Sequence, residues 1–279
     1  MKKMFYAVLA AALLPTMFLA RPAAASTGGT FDAANQYSNV GLIMFYDATG
    51  RYRCSATLIS PTVLVTAAHC TDGVVGSVLV DFRNFIAETG PSPYAQAADP
   101  AAGYTDEEIE AMGFVSGTAH THPEYSDFTD MDNWNDVGVV VLDDPVGIAP
   151  AELADLGTLD AIAGNLRKTL FRAVGYGTEV RKSDDGPQNP TPQSYPLQRR
   201  YVDMPGQKLT AQILQTNGNE RDVFGSGGTC FGDSGGPVFY QGEIVAVTSY
   251  GYTENCRYLG GYQRLDIAVT QDWVNSFLS

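Results

Sequence analysis

The sequence predicts an all-β fold closed by a C-terminal α-helix. Three observations point there. Gly (29), Pro (15) and Tyr (15) are plentiful among the 279 residues. Apolar residues come in short runs bounded by turn formers, the mark of strands. Helical spacing shows clearly in one place, where Trp273, Val274, Phe277 and Leu278 recur on one face. An apolar fraction of 44% supplies a core and excludes disorder. The length suits one large domain or two compact ones.

The elements follow in order. Lys2 and Lys3, the apolar stretch Met4 to Leu14 and the small residues Ala23-Ala24-Ala25 read as a secretory signal over residues 1–25. Pro15 and Arg21 break this stretch before the roughly 20 apolar residues a membrane span needs. Val40 to Tyr46 and Cys54 to Ile59 read as strands around a turn at 47–50, followed by Val63 to Val65 and Val74 to Phe82. Residues 84–113 read as a surface insertion with one helical turn. Val137 to Leu142 is an apolar strand, and 143–165 a linker between halves 26–150 and 151–279. Further strands are expected at Thr169 to Val174, Gln198 to Val202, Val238 to Tyr240, Ile244 to Tyr250 and Tyr262 to Leu265.

The formal charge is −14, and loss of Lys2, Lys3 and Arg21 with the signal leaves −17. Such a surface repels phosphate backbones, so a nucleic-acid partner is not expected. The four cysteines, Cys54, Cys70, Cys230 and Cys256, read as disulfides in an exported chain. Three pairings are possible. The nearest-neighbour set closes one short loop in each half. The spacings do not match a zinc site.

Three segments carry chemistry. In Gly232-Asp233-Ser234-Gly235-Gly236-Pro237, glycines flank a serine where the backbone turns tightly, and such a turn can aim backbone N–H groups at an oxyanion. The pattern also fits the G-x-S-x-G elbow of α/β-hydrolases. That fold needs a histidine after the serine. His69, His120 and His122 all precede Ser234, so the elbow reading fails. His69 stands beside Cys70, where a disulfide would pin a general base. Asp136 opens an apolar strand, where a carboxylate is costly unless hydrogen-bonded, and there it can orient an imidazole. Each residue alone has an ordinary structural reading.

Together, TAAHC (66–70), NDVGVVVL (135–142) and GDSGGP (232–237) resemble the catalytic blocks of the chymotrypsin/trypsin-like serine proteases, in that family's order. His122-Pro123-Glu124-Tyr125, Gly175-Tyr176-Gly177, Leu197-Gln198 and Ser249-Tyr250-Gly251 are similar to further family segments. The resemblance runs from about Ser26 to Ser279. It implies two six-stranded antiparallel β-barrels with the site between them, and a secreted, monomeric serine endopeptidase without cofactor or metal, acting on proteins or peptides. It implies His69, Asp136 and Ser234 as catalytic residues and the N–H groups of Gly232 and Ser234 as oxyanion donors. It also implies the pairs Cys54–Cys70 and Cys230–Cys256, and Ser249 as a partner of Asp136.

The resemblance places Gly228 at the floor of the substrate pocket, with Thr229, Phe231, Ser249, Tyr250, Gly251 and Gly260 around it. No carboxylate stands at the floor, so large apolar or aromatic residues are the expected preference, with Glu254 near the rim. The family begins its active form at I-V-G-G. Here Ser26-Thr27-Gly28-Gly29 takes that register, so signal removal itself would free an amine at Ser26 to pair with Asp233. His120 and His122 share a strand face that could bind a metal, but the resemblance makes His122 a structural strand residue. Asp127, Asp130 and Asp132 lack the glycine and glutamate of an EF-hand. Arg199-Arg200 looks like a dibasic processing site but falls in an expected strand. The rival function is a catalytically silent binding module on the same fold.

Overall fold

The computed structural model describes residues 28–88, 92–180, 193–219, 222–224 and 226–278. The expected signal at 1–25 and Ser26 lie outside the described residues. Val40–Asp47 (β1), Gly50–Ser60 (β2), Val63–Thr66 (β3), Val75–Asp81 (β4), Val115–Thr121 (β5) and Gly138–Leu142 (β6) form an antiparallel barrel closed in the order β1-β2-β3-β6-β5-β4. Leu170–Gly175 (β7), Arg200–Leu209 (β8), Ile213–Asn217 (β9), Pro237–Tyr240 (β10), Glu243–Gly251 (β11) and Leu259–Arg264 (β12) close a second ring in the same order, β7-β8-β9-β12-β11-β10. The short strand Thr30–Phe31 extends its rim against Arg200 and Tyr201.

The first barrel is apolar on consecutive positions because both strand faces are buried. Along β1, Ile43 and Phe45 point into the barrel with Ala56, Leu58, Leu64, Val80 and Val140. Leu42, Met44 and Tyr46 turn the other way, into a cluster with Val63, Val65 and Val139 that continues through Val174, Phe239 and Val247 of the second ring. The second ring is filled by Phe171, Met204, Leu214, Val238, Val245 and Tyr262. Asp32 and Arg199, both fully buried, form an ion pair at 2.9 Å. The guanidinium also donates to the carbonyls of Val40 and Phe82, stitching the N-terminal segment and β1 to the start of the second ring. Arg199 is thereby closed to a processing protease in the folded chain.

Several local expectations are corrected. Residues 84–113 are more than a surface insertion. Phe85–Ala87 pairs with Leu197–Gln198, Asp106–Ala111 forms a helix (α1), and Tyr94, Tyr104 and Ile109 are buried in the core. The linker contains a short helix, Thr158–Ile162 (α2). Strands β5 and β9 escape a search for apolar runs, because VSGTAHT and ILQTN are mostly polar or small. The strand expected to carry His120 and His122 stops at Thr121, and Tyr125 N donates to His122 O in a turn. The terminal helix, Ala268–Asn275 (α3), buries Val274, but Leu278 lies beyond its end and is exposed. Among the described residues no helix is long and apolar enough to cross a membrane.

Candidate active site

His69 and Asp136 come from the first barrel and meet directly. His69 follows β3 in a short 3-10 turn, and Asp136 stands two residues before β6, which pairs with β3. Asp136 Oδ2 accepts from His69 Nδ1 at 2.9 Å, and Oδ1 accepts from the His69 backbone nitrogen at 2.9 Å. Asp136 is fully buried, whereas His69 leaves 21% of its side chain exposed. Ser249, on β11 of the second ring, donates to Asp136 Oδ2 at 2.5 Å. The Asp136 backbone nitrogen donates to Gln263 Oε1 at 3.0 Å.

The electrostatics follow from this packing. Burial alone pulls the His69 imidazole down, but the charge and hydrogen bond of Asp136 outweigh it and hold its pKa above the ordinary histidine value. Burial works to raise the Asp136 carboxyl, yet the His69 charge and the bonds from His69 and Ser249 hold it below the usual carboxylate range.

The Ser234 loop docks against both barrels. Ser55 N donates to Ser234 O at 2.8 Å, Ser55 Oγ to Gly232 O at 2.9 Å, and Gly235 N to Thr248 O at 2.8 Å. Gly235 has φ 73°, and a Cβ there would collide with Thr66 Oγ1 and the Ala67 nitrogen. Only a glycine lets the serine loop approach the His69 segment so closely. Asp233, Gly235 and Gly236 each donate a backbone hydrogen bond. Among the described residues, the N–H groups of Gly232 and Ser234 donate to no protein acceptor. No hydrogen bond joins Ser234 Oγ to His69. Both disulfides form, Cys54–Cys70 and Cys230–Cys256.

Gly228, Thr229, Phe231, Ser249, Tyr250, Gly251 and Gly260 all line one cavity of about 360 Å³ beside Ser234. A Cβ on Gly228 would sit 2.7 Å from Gly218 Cα, so two glycines meet there backbone to backbone. Thr229 Oγ1 lies 2.9 Å from Tyr262 Oη. Glu254 contributes to the lining with Tyr252 and Tyr258, two aromatics the sequence reading did not single out. Asp233 is buried and accepts from Gly177 N at 2.8 Å and Cys230 N at 2.9 Å. Its expected partner Ser26 lies outside the described residues.

The two weak metal candidates are engaged otherwise. His122 Nε2 lies 3.2 Å from Val269 O, its Nδ1 accepts from Glu124 N, and its ring meets Trp273 edge-on. His120 packs on Phe277, with ring centroids 5.0 Å apart. Asp130 caps its own loop, accepting from Asp132 N and Asn133 Nδ2. Phe128 was also missed by the sequence reading. It packs its ring 5.6 Å from His69, and it and Asp127 are consecutive left-handed residues, at φ 59° and 47°.

Two closed barrels with an imidazole–carboxylate pair and a glycine-flanked serine at their junction define the serine-protease fold. The family model for Trypsin matches residues 29–274, and the chain belongs to that family. Brachyurin from Leptuca pugilator is 27% identical over 256 residues, covering 89% of this chain and 96% of that protein. A trypsin from Saccharopolyspora erythraea is 31% identical over 214 residues, covering 74% and 78%. A solved HL collagenase structure matches with a TM-score of 0.59 at 17% identity over 90% of this chain and 97% of its own. Human heparin binding protein matches at 0.58 and 17%, over 90% and 96%. These two likenesses are of fold alone.

Proposed function

We propose that the chain is a secreted serine endopeptidase in which Ser234 attacks a peptide carbonyl, His69 takes and returns the proton, and Asp136 orients His69. The observation that carries this reading is the buried Asp136 carboxylate bonded to His69 Nδ1. A carboxylate accepts, so the ring proton sits on Nδ1 and leaves Nε2 as the base. The open N–H groups of Gly232 and Ser234 suit the oxyanion of the tetrahedral intermediate. An acyl-enzyme forms on Ser234 Oγ as the amine leaves with the His69 proton, and water then releases the acid. The missing bond from Ser234 to His69 is compatible with this, because such bonds are often long in a free enzyme and close with substrate.

A cavity lined by Tyr250, Tyr252 and Tyr258, with glycine at the floor position, supports preference for a large apolar or aromatic residue before the scissile bond. Peptides differing at that one residue test it, and faster cleavage after Arg than after Phe would overturn it. The Ser26 amine, freed by signal cleavage, would reach the buried Asp233. One extra residue before Ser26 should then cut activity sharply, and unchanged activity would dispose of the idea. For the main proposal, a fluorophosphonate should label wild-type protein once, at Ser234. A silent binding module would leave Ser234 unlabelled. The net charge, −17 without the signal, also opposes binding of heparin, the ligand in one fold neighbour's name.

A further inference from the structure

Trp134 lies buried two residues before Asp136. Its indole Nε1–H donates to Ser249 Oγ at 3.0 Å, and Ser249 Oγ donates to Asp136 Oδ2 at 2.5 Å. The order of donors is dictated by chemistry. An indole nitrogen only donates, an ionised carboxylate only accepts, and a serine hydroxyl has one proton. With Trp134 occupying a lone pair of Ser249, that proton is directed at Asp136. The indole is itself held by rings: Phe128 meets it edge-on at 5.2 Å, and Tyr250 is tilted against it at 5.2 Å.

We propose that Trp134 is a positioning residue for the catalytic row. Its indole N–H sets the Ser249 hydroxyl as a fixed donor to Asp136 and so limits the negative charge that Asp136 presents to His69. This rests on the reading of His69 as the base. A donor behind a hydroxyl polarises it and strengthens the bond it gives onward. Removing the indole N–H weakens the bond to Asp136, leaves the carboxylate more negative, and raises the His69 pKa further. Among the described residues, Asp136 acts on His69 directly, and Tyr125 lies in the fields of Asp136, Asp127 and Asp72.

The test is an NMR titration of the histidine rings in the full mature chain, wild type against Trp134→Phe, with kcat/KM followed over the same pH range. The His69 midpoint should rise by about 0.3 to 0.5 pH, and the acid limb of kcat/KM should move with it. Plateau kcat should stay within about threefold of wild type, with KM nearly unchanged. In a Ser249→Ala background, Trp134→Phe should move neither quantity. If Trp134→Phe does not fold, a benzothiophene side chain at position 134 keeps the shape without the N–H, and it should give the same rise. An unmoved or lowered His69 midpoint, or an equal effect with and without Ser249, overturns the proposal. The titration needs no turnover. A chain that titrates as expected but cleaves nothing refutes the protease reading alone, while a chain that cleaves normally with no shift refutes the role of Trp134 alone.

Discussion

Asp136 holds His69 at two points, the ring nitrogen Nδ1 and the backbone nitrogen, each at 2.9 Å. This two-point grip fixes both tautomer and ring direction. Asp136→Asn keeps the shape but can donate to Nδ1, which favours the wrong tautomer. Its kcat should fall by about 10⁴-fold with little change in unfolding midpoint. Steady-state kinetics beside a thermal melt separates the two effects.

The raised His69 pKa sets the pH dependence. As the proposed base, His69 must be neutral to act, so activity should disappear as pH falls through its folded-state value, which lies above the ordinary ~6.5. Stability runs the other way. A raised pKa means the folded state binds the proton more tightly, so this contribution is complete below about 6.5 and fades as pH rises through the raised value. A kcat/KM profile whose acid limb lies at or below about 6.5 would contradict the upward shift of His69.

Asp32 and Arg199 form an ion pair with no exposed surface on either side chain. Asp32 also accepts from the backbone nitrogens of Gln36 and Tyr37. Asp32→Ala strands a buried guanidinium and should cost about 3–5 kcal/mol. Denaturant unfolding measures this directly, and a loss under 1 kcal/mol would mean the buried charge finds another partner.

Gly228, which lines the cavity beside Ser234, has no room for a side chain. In Gly228→Ala the new methyl would press on Gly218 Cα at 2.7 Å, and the cavity would have to shift. Overpacking of this kind costs about 1–3 kcal/mol, so kcat/KM for a Phe peptide should drop tenfold or more. Labelling of Ser234 by a small fluorophosphonate should survive, because the reagent leaves the floor unfilled.

Cys54–Cys70 closes a loop with a sequence separation of 16 that ends beside His69. Replacing both cysteines with serine should cost about 3 kcal/mol by the chain-entropy argument. Because Cys70 adjoins His69, the proposed base, kcat should fall as well. Loss of stability with kcat intact would show that the barrel strands alone hold His69.

Much of this was legible in the chain. The apolar runs of β1, β3 and β6 bury both faces and declare themselves as strands. The three blocks around His69, Asp136 and Ser234 carry the proposed site, because tight turns and buried polar groups demand particular residues. Strands β5 and β9 were not legible, since the sheet orders them through backbone pairing rather than apolar content. The buried roles of Tyr94, Tyr104 and Ile109 were hidden in a stretch rich in Ala, Pro and Gly. Trp134 carried one usable sign, a large aromatic between two asparagines immediately before Asp136. Its bond to Ser249, 115 positions away, is a product of the fold.

The proposed mechanism requires Ser234 to become covalently acylated. Rapid mixing of the mature chain with an activated ester of an aromatic amino acid should give a product burst equal to the enzyme concentration. Mass spectrometry at low pH should find the acyl group on the peptide carrying Ser234, and Ser234→Ala should show neither burst nor adduct. Turnover without an adduct, or an adduct that persists in Ser234→Ala, would contradict the account.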